Sequence, residues 1–309
     1  MLPEILEAGY YKETFFKSFN PYISHPFVAL NAGKVEQIIC LANAAKKPDL
    51  GLLLGVRNNQ LLSPFSAPFG GFHYRHEAIY AAETDLFLLA VKQFFEESTF
   101  EKLTITLPPD IYSSNMNAKF VSAFIRCGYV LEAADVTNYI PLREVGEKYS
   151  ERTARDYYAQ AVKHELRFEQ VKTDEEIDVC YAIVKDNRSR MGRPIFMTAN
   201  DLKQMQQLWP VDFFLVKDTA GVAVAAAIFY RGHGQIAQAV LWGDSETGRP
   251  LRAMDYMIFE LCRFYKQMNY SFIDLGISTE KSVPNSGLLR FKETHESHTG
   301  IRYTFSLGK

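Results

Sequence analysis

The chain reads as an α/β (α+β) protein of two tandem lobes, each a mixed, largely antiparallel sheet flanked by helices. Three observations predict this. The 309 residues suit about two domains at roughly 150 residues each. Hydrophobic residues make up 47% of the chain, enough for two separate cores. The stretches 84–140 and 250–307 also follow one plan (helix, strand, proline-containing loop, helix, strand) although their residues hardly match. The predicted division is a first lobe over 1–147, a connecting helix over 148–166 and a second lobe over 167–309.

Residues 1–50 give little beyond a dense set of aromatics, Tyr10, Tyr11, Phe15, Phe16 and Phe19, which suits a packed layer or an interface. Leu50–Val56 predicts a strand, and Asn58–Gln60 a turn into Leu61–Phe65. Gly70-Gly71 follows, a pair that permits backbone shapes closed to other residues. Phe87, Val91, Phe94 and Phe95 share one side of a helix over Thr84–Glu97. Leu103–Leu107 is a strand stopped by Pro108-Pro109, and Asn115–Cys127 a helix closed by Gly128. Tyr129–Ile140 is a long strand that stops at Pro141.

A polar helix over Ser150–Leu166 then joins the lobes. Thr173 and Glu176 make a capping box for the next helix, which Gly192 and Pro194 end. Thr198 caps a shorter helix closing at Pro210. Phe213–Lys217, Val222–Tyr230 and Gln235–Trp242 are strands joined by short turns. Pro250 suits the first turn of a helix whose apolar face is Leu251, Met254, Ile258, Leu261 and Met268. Phe272–Ile277, a helix from about Asn285 and a strand over Ile301–Leu307 complete the chain.

Composition excludes several classes. A net charge of −2 offers no global field for a polyanion, so DNA binding is not expected. Cys40, Cys127, Cys180 and Cys262 stand far apart, the pattern of buried free thiols in a reducing compartment. The first residues lack a secretory pattern, and the longest apolar run, Val222–Tyr230, is nine residues. A soluble, cytoplasmic protein with no membrane span is expected. His73/His76 and His295/His298 are each spaced for a shared metal on a helix, but no carboxylate or cysteine completes either set, and no metal is expected. No serine lies in a Gly-x-Ser-x-Gly elbow.

Chemistry is expected first in the stretch from Ser271 to Glu296. Here a strand ends at Gly276, a loop carries Ser278 and Thr279, and a helix starts Asn285-Ser-Gly with Arg290, Phe291, Lys292 and Glu293 on its turns. A strand end feeding a helix N-terminus is where such sheets offer amides to a negative group. Asp274 inside an apolar strand must either pair with a cation or serve as a base. Glu293 is a second base candidate or a plain surface acid. Arg188, Arg190 and Arg193 gather at a helix C-terminus, where positive charge is stabilising in any case.

The element order resembles that of GNAT-type acyltransferases, and a tandem pair of such lobes resembles their FemAB-like branch, whose best-known members move an amino acid from aminoacyl-tRNA to a peptidoglycan precursor. SAPFGGF, LPPDIY with RCGYVLEAADVTNYIPL, and DLGIS with PNSGLLRFKE are similar to segments of that branch, in order, from about residue 50 to the end. The resemblance implies transfer of an acyl or aminoacyl group to an amine. It places a Phe-Lys pair on Phe291 and Lys292, with the lysine facing the ester carbonyl. Lys292, Asp274 and Glu293 are then the catalytic candidates. Phe291, Ser278, Thr279, Asn285, Arg290, Trp242, Gly70 and Gly71 are the candidates for substrate contact. Backbone around Ala239–Trp242 would polarise the acyl carbonyl if that strand splays from Phe272–Ile277.

The donor implied is aminoacyl-tRNA or acetyl-CoA, and the acceptor a small molecule or cell-envelope precursor. Acetyl-CoA enzymes of this type wrap the pyrophosphate with a Gln/Arg-x-x-Gly-x-Gly/Ala loop, whereas here that place reads DSETGRPLRAMD. Two other readings stay open, an acetyl-CoA-dependent N-acetyltransferase with an irregular loop and a non-catalytic tandem lobe that binds a metabolite or partner.

Overall fold

A computed structural model describes residues 2–193, 195 and 197–309. They form two units that alternate along the chain. One takes residues up to Val136 with Thr279–Val283 and Gly300–Lys309, and the other takes Thr137–Ser278 with Pro284–Thr299. This partition differs from a linear division at 147 and 167. The helix expected between lobes belongs to the second unit, and most of the last strand to the first.

The first unit opens with β1 (Glu4–Ile5), α1 (Ala8–Thr14), α2 (His25–Asn31) and β2 (Gln37–Ala42). It continues with β3 (Leu50–Arg57), β4 (Gln60–Ser63), β5 (Phe72–Tyr74), α3 (Ala81–Glu97), β6 (Lys102–Thr106) and α4 (Asp110–Arg126). Residues 130–136 of β7 (Val130–Pro141) close this part. The sheet order is β1-β2-β3-β4-β6, then the chain's last strand and β7, with β5 added to β3. The last strand joins this sheet because its apolar residues match this core: Phe305 stacks on Phe124 at 4.4 Å, and Thr304 pairs with Thr106. Phe72 stacks on Phe120 at 3.9 Å, which explains β5, a strand too short for its periodicity to be seen. The helix expected from Thr84 starts at Ala81, where the Glu83 side chain accepts from the Tyr80 amide at 2.8 Å. The helix expected from Asn115 starts at Asp110 and passes a non-helical Ser113.

In the second unit come α5 (Arg152–Val162), β8 (Arg167–Val171), α6 (Asp174–Arg190), α7 (Ala199–Met205), β9 (Val211–Lys217) and β10 (Ala223–His233). There follow β11 (Ile236–Asp244), α8 (Ala253–Gln267) and β12 (Phe272–Ile277). Two-residue strands β13 (Thr279–Glu280) and β14 (Val283–Pro284) pair with each other, all but Pro284 in the first unit; α9 (Ser286–Thr294) is in the second, and β15 (His298–Gly308), in the first from Gly300, ends the chain. The sheet order is the end of β7, then β12-β11-β10-β9-β8. The joining helix stops at Val162, not Leu166, because residues 167–171 are needed as the edge strand paired to β9. Gly192 follows α6, and the expected stop at Pro194 lies outside the described residues. Pro250 is not in the first turn of α8; it sits in a turn that precedes it. α8 buries Met257, Ile258, Leu261 and Tyr265 against Phe214 and Phe229 of the sheet. Among the described residues no helix is long and apolar enough to cross a membrane.

Candidate active site

Two irregularities in the second sheet make the site. β11 and β12 run parallel and paired from Ile236 opposite Phe272 to Gln238 opposite Asp274. Past that point β11 continues with β10, and β12 with β7, so the two strands part. At the parting each strand carries a bulge. On β11 the pairing with β10 steps from Ala239 to Leu241 and leaves Val240 over; on β12 the pairing with β7 steps from Asp274 to Gly276 and leaves Leu275 over. Gly276 takes φ +71°, and its amide donates to Asp274 Oδ1 at 2.8 Å. The buried Asp274 carboxylate is thereby fixed inside its own bulge.

α9 supplies the facing wall. Asn285 caps it by accepting from the Leu288 amide at 3.2 Å, and the Asn285 amide donates to the Ser278 carbonyl. The cap sets the helix rotation so that Lys292 points inward, 1% exposed. Its Nζ donates to the carbonyls of Gly276 (2.8 Å) and Ile277 (2.9 Å) at the freed end of β12. Burial pushes the Lys292 ammonium down to about 7; the Asp274 charge opposes this, and that of Arg193 adds to it. The Phe291 ring lies 5.8 Å from that of Trp242 on β11. Phe291 and Lys292 thus flank the parted strands, an aromatic surface beside a positioned cation.

One turn further along, His295 locks the helix. Its Nδ1 donates to the Phe291 carbonyl at 2.7 Å, and its Nε2 lies 3.1 Å from Asp255 Oδ1 in the first turn of α8. That second contact lacks hydrogen-bond alignment. The turn before α8 is closed on itself. The amides of Gly248, Arg249, Leu251, Arg252 and Ala253 all donate to carbonyls within residues 245–249, and Pro250 has none.

No protein-family model matches the sequence, and no curated protein matches it. Solved structures do. FemX aligns over 99% of this chain and 98% of its own, with a TM-score of 0.65 and 10% identity. L-PGS from Bacillus licheniformis aligns over 99% and 93%, with a TM-score of 0.59 and 12% identity. The fold is that of the FemAB-like tandem GNAT proteins. A tandem GNAT protein from the clavulanic acid biosynthesis pathway also matches, over 88% of this chain and 83% of its own, with a TM-score of 0.50 and 8% identity.

Within this FemAB-like fold, Lys292, Phe291, Asp274 and Trp242 gather around the parted strands, with Asn285 and Ser278 at the base of α9. Ser278 is buried and donates to Asn138 Oδ1 at 2.5 Å. Arg290 and Glu293 are exposed on α9, away from the buried face that Lys292 shares with His295. Thr279 belongs to the first unit, where its hydroxyl donates to Asp135 Oδ1 and accepts from the Val136 amide. Gly70 and Gly71 are also in the first unit, with their amides given to the Thr106 carbonyl and Ser63 Oγ. His295 and His298 face different carboxylates, Asp255 and Glu144. Sequence reasoning weighed His295 only as half of a metal pair and missed Asp255. The available signal was a histidine three residues after the Phe-Lys pair, on the same helix face.

Proposed function

We propose that the protein transfers an aminoacyl group from an activated ester to an amine, with the reacting centre in the second unit at the parting of β11 and β12. The observation that carries this reading is Lys292, a fully buried lysine with two of its three ammonium protons committed to backbone carbonyls. The third proton remains for an oxygen that gains charge. As the amine attacks the ester carbonyl, a C–N bond forms and the carbonyl oxygen becomes an oxyanion, which Lys292 and the bulged β11 backbone around Val240 stabilise. The intermediate collapses by breaking the ester C–O bond, and the departing alkoxide takes up the proton that the amine loses. Phe291 and Trp242 hold the donor's apolar part.

The turn before α8 supports an aminoacyl-tRNA donor over acetyl-CoA, because the amides of Gly248, Arg249, Leu251, Arg252 and Ala253, next to the start of the helix, are already given to carbonyls of the turn and Pro250 has none to offer a pyrophosphate. The fold shared with FemX, and with the C-terminal domain of a putative lysylphosphatidylglycerol synthetase from Agrobacterium fabrum (TM-score 0.56, 10% identity, 84% of this chain and 80% of that one), fits aminoacyl transfer. We place the acceptor among small molecules and cell-envelope precursors carrying an amine.

The test is transfer of a labelled amino acid from charged tRNA to an acid-stable amide product, run beside a melting titration with acetyl-CoA and desulfo-CoA. Product formation that Lys292→Met abolishes is expected, with no shift from either CoA. A saturating shift with both CoA ligands would replace the aminoacyl reading with an N-acetyltransferase.

A further inference from the structure

At one end of β9 and β10 in the second unit lies a cavity of about 390 Å³ whose floor is charged and whose wall is apolar. The floor is built around Asp212, which is 2% exposed. Its carboxylate accepts from Gln170 Nε2 and from the Tyr265 hydroxyl, both at 2.9 Å, and lies 2.8 Å from Arg231 Nε. Arg231 Nε is buried and held by this charge contact, although its N–H is not aligned on the carboxylate as a hydrogen bond. The Arg231 side chain also bonds Tyr270 and is 23% exposed as a whole. Lys172 stands at the rim, and Val211, Phe264 and Met268 supply the apolar wall.

Asp212 would be satisfied as a buried acid by Gln170, Tyr265 and Arg231 with no space beside them. A fixed guanidinium bordering a volume of this size is the arrangement that recognises a carboxylate, because the planar fork is held in place before the ligand arrives. The charges decide the ligand class. Arg231, Lys172 and Asp212 leave a single net positive charge, which suits a monoanion better than a phosphate dianion.

We propose that this cavity binds a small organic monocarboxylate, its carboxylate on Arg231 and Lys172 and its apolar body against Phe264 and Met268. The site is separate from the parted strands, and the inference does not depend on the acyl-transfer reading.

Phenylacetate serves as the probe and phenylacetamide, its neutral counterpart, as the control. Binding is followed by calorimetry and by the melting temperature of the whole chain. Phenylacetate is expected to bind saturably and raise the melting temperature, while the amide does neither. Lys172→Gln should weaken phenylacetate about fivefold, as expected for one partly exposed charge contact. Removing Arg231 alone strands the buried Asp212 carboxylate, so the decisive variant is Asp212→Asn with Arg231→Met, which should weaken binding at least about tenfold. Equal binding of acid and amide, or undiminished binding in that double variant, overturns the proposal. If the double variant does not melt cooperatively, Lys172→Glu decides instead, and unchanged affinity there is equally fatal.

Discussion

Lys292 Nζ sits 2.8 Å from the carbonyl of Gly276, the one residue of β12 with a left-handed backbone. The bulge that fixes Asp274 therefore also presents the carbonyls that hold the lysine. Cation, acid and strand end are one construction, and a change in any of them should be felt in the others.

Lys292→Met keeps the stem of the side chain and removes the ammonium. Turnover should fall by at least about a hundredfold, the scale seen when one oxyanion donor is lost. Stability should hold or rise, because burial disfavours the charged form. Folding lowers the lysine from 10.5 to about 7, so the unfolded chain binds the extra proton between those values. The wild type consequently gains stability as pH rises from about 7 towards 10.5. Urea titrations at pH 6.5 and 9.5 should show the variant's advantage shrinking at the higher pH; a constant difference would mean that the lysine is not desolvated.

His295 and Asp255 join α9 to α8 through a buried 3.1 Å contact between Nε2 and Oδ1. Removing either partner leaves the other buried without this contact, and His295→Leu or Asp255→Asn should each cost about 2 kcal/mol. The two losses should be far from additive in the double variant, which chemical unfolding of all four proteins will measure. Additive losses would mean that the 3.1 Å contact carries no energy.

His73 makes the first unit sensitive to acid. It is fully buried, its Nδ1 shares a 2.9 Å hydrogen bond with the Tyr11 hydroxyl, and burial followed by the nearby His25 charge lowers it from 6.5 to about 3. Between those values the unfolded chain takes up a proton that the folded chain refuses. Stability should fall as pH drops below about 6.5 and keep falling towards 3. Replacing His73 with Gln should flatten that slope in a pH series of melting temperatures, and an unaltered slope would assign the acid response to other groups.

Gly248 and Gly276 should respond differently to a methyl group. A Cβ on Gly248 would stand 2.1 Å from the Val224 carbonyl oxygen, a backbone atom that cannot turn aside, so Gly248→Ala should cost at least about 3 kcal/mol. Among the described residues nothing lies within 4 Å of a Cβ on Gly276, and Gly276→Ala carries only its left-handed φ, about 1 kcal/mol. Thermal unfolding separates them; equal losses would mean that the turn before α8 can open.

Much of this protein was legible in its sequence because the signals are local. The repeated helix–strand–loop–helix–strand plan, the cap at Asn285 and the Phe-Lys pair depend on residues a few positions apart, where spacing alone fixes which side chains share a face. The tandem FemAB-like fold followed from their order. Other features depended on packing between distant segments. That the last strand serves the first unit is decided by Phe305 meeting Phe124, and that 167–171 form an edge strand by β9 beside them. The depth of Lys292 rests on bulges at Val240 and Leu275, which leave no mark in periodicity. The pairing of His295 with Asp255 joins residues 40 positions apart in the chain. Sequence determined which elements form; only tertiary packing decided which polar groups lost water together, and the chemistry of the site rests on that loss.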